Sequence, residues 1–281
     1  MFEPETINRD YVKSLLPKRK KETYKGTYGR VLVVAGSPKM AGAAVLTARA
    51  ALRSGSGLVR ISAEPSLWPI FQTSVAEATV TDRTLDKGNL SQFDAIVAGP
   101  GMGTEEDASL AICTILETYE KMLILDADAL NLVSQNRVSL AHTKASLILT
   151  PHEGEAGRLL HISAEEVRRD RIAAAKTLAE RFHAVVVLKG SRSLTAHFNG
   201  AVFANHTGNP GMATGGSGDV LAGSIASFAG QGMSAQEASC VGTYVHGFAG
   251  DLASEEKGEY GLIASDIAEA LPRAILAIQK G

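Results

Sequence analysis

Cysteine is nearly missing from this chain. Its 281 residues hold two, Cys113 and Cys240. They stand far apart in apolar surroundings, which excludes a zinc-type spacing and leaves two reduced, buried thiols as the expectation. Net charge is equally scant, at −2 near neutral pH, so nothing favours bulk binding to nucleic acid or to an anionic membrane. No apolar run is long enough to span a bilayer and no signal-peptide pattern opens the chain, so a cytosolic protein is expected. There is no linker, no break in composition and no solenoid-type repeat, and a single domain over residues 1–281 follows as the expectation. With 45% hydrophobic and 21% charged residues, such a chain can bury a large core.

Glycine, by contrast, is plentiful and clustered, with 28 residues. The densest stretch is Asn205–Gly223, NHTGNPGMATGGSGDVLAG, which places Asp219 just before the apolar residues Val220, Leu221 and Ile225. Glycines let backbone approach a ligand closely. A helix starting near Gly218 turns its free N–H groups and positive dipole end toward the loop, which suits phosphate. An aspartate there is placed to take a proton from an attacking hydroxyl. The same residues also read as a plain glycine turn with Asp219 as helix N-cap.

The rest of the chain repeats one pattern. Strand Arg30–Ala35, a glycine loop, helix Gly42–Arg53 and strand Leu58–Ser62 make a βαβ unit. Its loop spells neither G-x-G-x-x-G nor a Walker A motif, which disfavours a standard dinucleotide fold or a P-loop enzyme. Strands then follow at Asp94–Ala98, Met122–Leu125, Ser146–Leu149 and Val185–Leu188. They end in turn on GPGMG, Asp126-Ala127-Asp128, TPHEGE and KGSRS. In a parallel sheet those ends share one edge, where open α/β sheets bind ligands. A helix is expected over Glu105–Glu120, and strands Leu194–Phe198 and Val202–Ala204 read as an antiparallel hairpin around Asn199-Gly200. Three helices close the chain, at Val220–Ala229, Ala235–Ala253 and Ala264–Gln279. The first twenty-five or so residues, with the basic run Lys18-Arg19-Lys20-Lys21, read as a solvated surface segment.

The ordered set AGS-x-x-M-x-GA (Ala35–Ala43), GPG-x-G, LDADALN, TPH-x-GE, LKG-x-x-S and GNPGMATGGSGDVLAG resembles the ADP- or ATP-dependent NAD(P)H-hydrate dehydratases of the ribokinase-like superfamily. The match runs from about Lys25 to the last helix. It implies a three-layer α/β/α fold, with a mostly parallel central sheet, helices on both faces and an antiparallel hairpin at the edge. Larger relatives carry an N-terminal epimerase domain, which is not expected here. The implied reaction restores NADH or NADPH from the S-form of its hydrate, using ADP or ATP and releasing AMP or ADP with phosphate. Hydroxide is a poor leaving group and phosphate a good one, so a kinase scaffold suits the task.

The resemblance also implies roles. Asp219 is the general base, beside the phosphoryl-holding loop Gly215, Gly216, Ser217 and Gly218. Lys189, Gly190, Ser191, Arg192, Ser193 and Gly218 hold the nucleotide, while Gly42, Ala43, Gly101, Gly103, His152 and Asp219 touch the hydrate. Mg²⁺ is implied, with Glu155 and Asp126 as candidates for holding it through water. Without the family, Lys189 is also readable as a surface lysine, His152 as a satisfied structural residue, and Asp128 as the N-cap of a helix. His246 reads as structural. Family members often carry proline where this chain has Glu153. A homo-oligomer, in the form of a tetramer, and no nucleic-acid or membrane partner are expected. The other readings are a small-alcohol kinase of the same superfamily and a non-catalytic nucleotide-sensing module.

Overall fold

The computed structural model describes residues 3–280; residues 1, 2 and 281 of the expected domain lie outside the described residues. Short runs of β-branched and aliphatic residues, buried on both faces, form the central strands, while the edge strands β1 and β4 are exposed or half-buried. They are β1 (Glu5–Thr6), β2 (Arg30–Val34), β3 (Leu58–Ser62), β4 (Thr79–Thr81), β5 (Ala95–Ala98), β6 (Met122–Leu125), β7 (Ser146–Leu149), β8 (Val185–Leu188), β9 (Leu194–His197) and β10 (Val202–Ala204). The sheet order is β1-β10-β9-β8-β7-β6-β5-β2-β3-β4. Every pairing is parallel except the two made by β9. The expected hairpin therefore lies at the sheet's edge, with only the two-residue β1 outside it.

Helices α1 (Arg9–Leu15), α2 (Ala41–Arg53), α3 (Trp68–Ser74), α4 (Lys87–Ser91), α5 (Glu106–Thr118) and α6 (Asp128–Ser134) belong to the first half. The second half adds α7 (Glu153–Leu160), α8 (Ala164–Arg169), α9 (Arg171–Phe182), α10 (Ser217–Gly230), α11 (Ala235–Gly261) and α12 (Ala264–Lys280). They cover both faces, and strand alternation separates the two cores. Val31 and Val33 of β2 face a layer containing Ala48, Ile225, Val241 and Ile267. Leu32 and Val34 face the opposite layer, with Ile112, Leu130, Ala156 and Leu178. Among the described residues no helix is long and apolar enough to cross a membrane.

Several expectations need correction. The N-terminal segment is not wholly solvated. Ile7, Val12 and Leu16 are buried, α1 is capped by Asn8 through a 2.8 Å bond from the Tyr11 amide, and Tyr11 stacks on Phe203. Apolar residues at 7, 11, 12, 15 and 16 form one helical stripe, which the surrounding charges mask in composition. The basic run itself is exposed, as expected. Cys240 is buried, but Cys113 is only half-buried. Strand β5 begins after Asp94, because the Asp94 carboxylate instead accepts from the Arg30 amide at 2.9 Å. Helix α10 starts three residues before Val220, and α11 extends past Ala253 to a break at Gly258, φ 70°.

The chain leaves β2 for β3 on one side and returns to place β5 on the other, so the topological switch point lies between β2 and β5. The two loops leaving it are joined by a hydrogen bond from the Gly36 amide to the Pro100 carbonyl, 2.9 Å. Gly99 has φ +124°, and a Cβ there would sit 1.8 Å from the Asp126 carbonyl oxygen. Only glycine lets the loops after β5 and β6 pass this closely.

Candidate functional site

The centre of the site is the first turn of α10. Gly216 is its N-cap, at φ 89°, and a side chain there would meet Leu46 Cδ1 at 2.4 Å. Ser217, Gly218 and Asp219 are the first three helical residues, so their N–H groups precede the first intrahelical bond, Val220 to Gly216, 3.1 Å. Asp219 is therefore in the first turn and is not an N-cap. Upstream, Asp251 of α11 shapes the loop by accepting from the Gly208 amide at 2.9 Å and from Asn209 Nδ2 at 3.0 Å. Beneath it, buried His246 faces Ser217 Oγ at 3.4 Å. Burial pulls this imidazole down to about 4, so it is neutral near pH 7, in keeping with a structural role.

Lys189 leaves the end of β8 and points to the same place. A Cβ on Gly218 would lie 3.4 Å from Lys189 Nζ and 3.9 Å from Asp126 Oδ2. The ammonium lies 2.6 Å from Asp126 Oδ1 and 3.8 Å from Glu155 Oε2, and both carboxylates are almost fully buried. Burial alone lowers the lysine pKa, but Asp126, Glu155 and Asp219 outweigh it and the net shift is upward. Lys189 is a clamped cation at a helix N-terminus, not the surface lysine that sequence alone also allowed.

Asp219 responds in the opposite sense. Burial first, then the charge of Asp126, raise its carboxyl to about 7; Lys189 opposes the shift and Asp128 adds to it. A carboxylate tuned near neutrality beside a helix N-terminus and a lysine suits proton abstraction during phosphoryl transfer.

The turn after β6 aims two carboxylates apart. Ala127 sits at φ 50°, ψ −114°, a conformation that non-glycine residues rarely adopt. Asp126 then faces Lys189, while Asp128 Oδ2 accepts from the Gly103 amide at 2.9 Å. Asp128 is the first residue of α6 with Ala127 as cap, so the expected N-cap role is corrected: it fixes the GPGMG loop. Gly101 abuts Met40 and Ala43, where an added Cβ would come within 2.9 Å, which brings the Gly42-Ala43 turn and the Gly101–Gly103 loop together. The space beside Gly42, Gly103 and Gly215 is open.

His152 is the N-cap of α7. Its Nδ1 accepts from the amides of Gly154 and Glu155, at 3.0 and 3.4 Å, so the proton rests on Nε2, 3.4 Å from Glu155 Oε1. Glu155 returns a bond to the His152 amide at 2.8 Å, completing a capping box. The ring is satisfied locally, yet half of it is exposed and presented in one tautomer. Ser193 Oγ donates to the Gly190 carbonyl at 3.2 Å and closes the Lys189–Ser193 loop, while Ser191 and Arg192 are exposed.

Among the described residues no cluster of three or more His, Cys, Asp or Glu side chains is arranged to hold a metal ion. Lys189 already pairs with Asp126 at 2.6 Å and lies 3.8 Å from Glu155. The donor set therefore fits Mg²⁺ only as an ion carried largely by water and phosphate oxygens, with these carboxylates at its margin.

Two arginines escaped sequence reasoning. Arg83, after β4, donates to the Gly36 carbonyl at 2.5 Å and the Met102 carbonyl at 3.3 Å, and pairs with Asp107 at 2.6 Å. Arg171 binds the Lys189–Ser193 loop. Neither lies in a motif, and no local pattern marks them. A cavity of about 770 Å³, lined by Val133, Leu147, Arg181 and His183 among others, lies toward the start of β7. That is the sheet edge opposite the charged cluster, so chemistry and not concavity locates the site.

Fold and site together define a class: a doubly wound α/β protein with a glycine-lined helix N-terminus beside a largely buried carboxylate and a largely buried lysine, an arrangement that suits a phosphate ligand. The family is narrower. Residues 31–273 match the model of the NAD(P)H-hydrate dehydratase family, and the chain belongs to it. It is 40% identical over 90% of its length to an ADP-dependent (S)-NAD(P)H-hydrate dehydratase of Neisseria meningitidis, covering 86% of that protein. It is also 39% identical over 94% of its length to a bifunctional NAD(P)H-hydrate repair enzyme of Thermofilum pendens, covering 53% of that protein. The chain thus spans about half the length of several curated relatives it matches. The crystal structure of the ADP/ATP-dependent NAD(P)H-hydrate dehydratase of Bacillus subtilis, co-crystallised with ATP and Mg²⁺, superposes with a TM-score of 0.90 at 30% identity. That alignment covers 99% of this chain and 100% of the other. The ribokinase-like three-layer fold expected from the motifs is the fold observed.

Proposed function

We propose that this chain dehydrates the S-form of hydrated NADH or NADPH at the expense of ADP or ATP, as a nicotinamide-cofactor repair enzyme. The observation that carries the reading is Asp219, raised to about 7, in the first turn of α10 beside Lys189. Asp219 takes the proton of the hydrate hydroxyl as that oxygen attacks the terminal phosphoryl group. The amides of Gly216–Gly218 and the Lys189 ammonium face the charge that develops on the transferred group. AMP leaves when ADP is the donor. The ring nitrogen then expels phosphate from the phosphorylated hydrate with formation of a C=N bond, and loss of a proton to water from the adjacent ring carbon returns those electrons to nitrogen and forms the new C=C bond of NAD(P)H. Asp126 and Glu155 would be the residues to hold Mg²⁺, through water, and the ion would supply charge neutralisation on the nucleotide phosphates.

Gly42, Ala43, Gly101, Gly103 and His152 line the hydrate side, and Lys189–Ser193 the nucleotide side. The repair role fits a single cytoplasmic domain with reduced cysteines. Cys240, pushed up to about 12 by burial, stays a thiol. A homo-oligomer, in the tetrameric form, has apolar surface to draw on at exposed Tyr260, Ile263 and Leu276.

The test is spectroscopic rescue. Enzymatically hydrated NADH is incubated with the protein and ADP, ATP or no nucleotide. The reduced-nicotinamide absorbance is expected to recover only with nucleotide, with one phosphate released per NADH. No recovery, with phosphorylation of a small alcohol, replaces this reading with that of a kinase; nucleotide binding without any phosphate release replaces it with that of a sensing module.

Arg83 offers a second test. Arg83→Ala removes the guanidinium that ties the loop after β2 to the loop after β5. Loss of these two part-buried hydrogen bonds is worth about 1–3 kcal/mol. The KM for hydrate is expected to rise about tenfold or more while the KM for ADP stays within about twofold. An equal rise in both removes these loops from the hydrate side.

A further inference from the structure

Arg171 opens α9 directly after its cap Asp170, whose side chain accepts from the Ala173 amide. Its guanidinium reaches into the loop after β8. Nη1 donates to the Arg192 carbonyl at 2.8 Å, and Nη2 lies 3.2 Å from the Leu188 carbonyl and 3.3 Å from that of Lys189. Three carbonyls on both sides of the loop thus converge on one planar, rigid fork. The group lies so close that a Cβ on Gly190 would come within 2.4 Å of Nη2. Its third nitrogen, Nε, makes no hydrogen bond but lies 3.4 Å from Glu153 Oε1 as an ionic contact, and the other oxygen of Glu153 takes Arg168 Nε at 2.9 Å. Burial pulls the Arg171 pKa down, and Glu153 is the charge that counters it.

Glu153 is the first residue of α7, between the cap His152 and Glu155, which faces the Lys189 ammonium. One helical turn therefore holds the nucleotide loop twice: by Glu155 through the Lys189 side chain, and by Glu153 through Arg171. A bare loop of Gly190, Ser191 and Arg192 would have to be ordered on binding, at a cost in backbone entropy. A preformed loop avoids that cost.

We propose that Arg171, oriented by Glu153, is a positioning residue that pre-shapes the Lys189–Ser193 loop for the nucleotide. The inference rests on the assignment of that loop to ADP or ATP. Arg171 itself need not touch ligand; it acts through the backbone that carries Lys189.

The experiment compares Arg171→Ala, Arg171→Lys and Glu153→Gln with the unaltered protein. ADP affinity is measured by calorimetry, KM for ADP and for hydrate by the rescue assay, and folding by thermal melting. Arg171→Ala is expected to weaken ADP binding about 10–100-fold, the scale of a lost charge-assisted contact set. Lysine keeps the charge without the fork, so Arg171→Lys should recover part of that loss. Glu153→Gln, which leaves the fork but not its ionic anchor, should weaken ADP binding by about two- to fivefold. The KM for hydrate should stay near its original value in all three, a split that general loosening of the fold would not produce. If Arg171→Ala melts too low to assay, Arg171→Lys and Glu153→Gln decide the matter by the same split. ADP affinity unchanged in folded variants, or both KM values rising together, overturns the brace and leaves the nucleotide assignment standing. Unaltered protein that binds neither ADP nor ATP overturns the nucleotide assignment itself.

Discussion

Asp219→Asn is expected to lower turnover by about 10²–10⁴-fold, the scale of a lost general base, and at pH 8 to raise the melting temperature. The second half follows from the direction of the shift. Folding raises the carboxyl from 3.8 to about 7, through burial first and Asp126 next, with Lys189 opposing and Asp128 adding. The folded state holds this proton more tightly than the unfolded chain does, so ionising Asp219 costs stability. That cost is absent below the unfolded pKa, grows as pH rises, and is complete above about 7. Asparagine cannot ionise and escapes it. The gain is on the order of a few kcal/mol at pH 8 and should fade as pH drops toward 4. The same titration predicts that the unaltered enzyme's turnover rises with pH and levels off above about 7, since only the ionised form is a base. Thermal melts at pH 5 and pH 8, with the rescue assay, check both. A variant that melts and turns over like the original at both pH values excludes Asp219 as a buried base.

Lys189→Met should cost both stability and ligand. Asp126 is 1% exposed and Glu155 5%, and the lysine faces both. Breaking a buried ion pair by removing one partner typically costs about 3–5 kcal/mol, because the other charge is left unpaired. ADP affinity should fall about 10–100-fold as well. A fall in stability alone would confuse the two effects, so the double variant Lys189→Met with Asp126→Asn separates them. With both charges gone, most of the lost stability should return, while ADP affinity stays low. Denaturant unfolding and calorimetry read the two quantities independently. Recovery of ADP affinity in the double variant would remove Lys189 from the nucleotide.

Proton affinity and binding in this site are therefore set by one cluster. Asp126 binds Lys189 and raises Asp219; Lys189 lowers Asp219 and faces the first turn of α10. Coupled groups of this kind respond jointly, so single substitutions at Asp126 should alter the pH profile as well as stability.

Much of this was legible in one dimension. Strands β3, β6, β7, β8 and β10 fall where their aliphatic runs end, and each glycine or polar cluster after a main-sheet strand lies at one edge, because parallel strands share a polarity. The N-terminal stripe at Ile7, Val12 and Leu16 was obscured by the charges between, since composition averages over the period that a helix uses. Asp128 was misread because the backbone strain at Ala127, which moves the cap back by one residue, has no signature in an alanine.

Local pattern and spacing by themselves determined the alternation of strands and helices, the sheet edge at which the polar loops gather, and Asp219 in its glycine loop, because periodicity and turn chemistry act over a few residues. Only the tertiary structure decided what those groups are. Asp126 and Lys189 are 63 residues apart in the chain and 2.6 Å apart in space, and Arg83 and Arg171 reach carbonyls on loops that no motif connects to them. A carboxylate's pKa and a lysine's partner depend on burial and on distance to other charges. Those quantities come into being only when distant segments pack together.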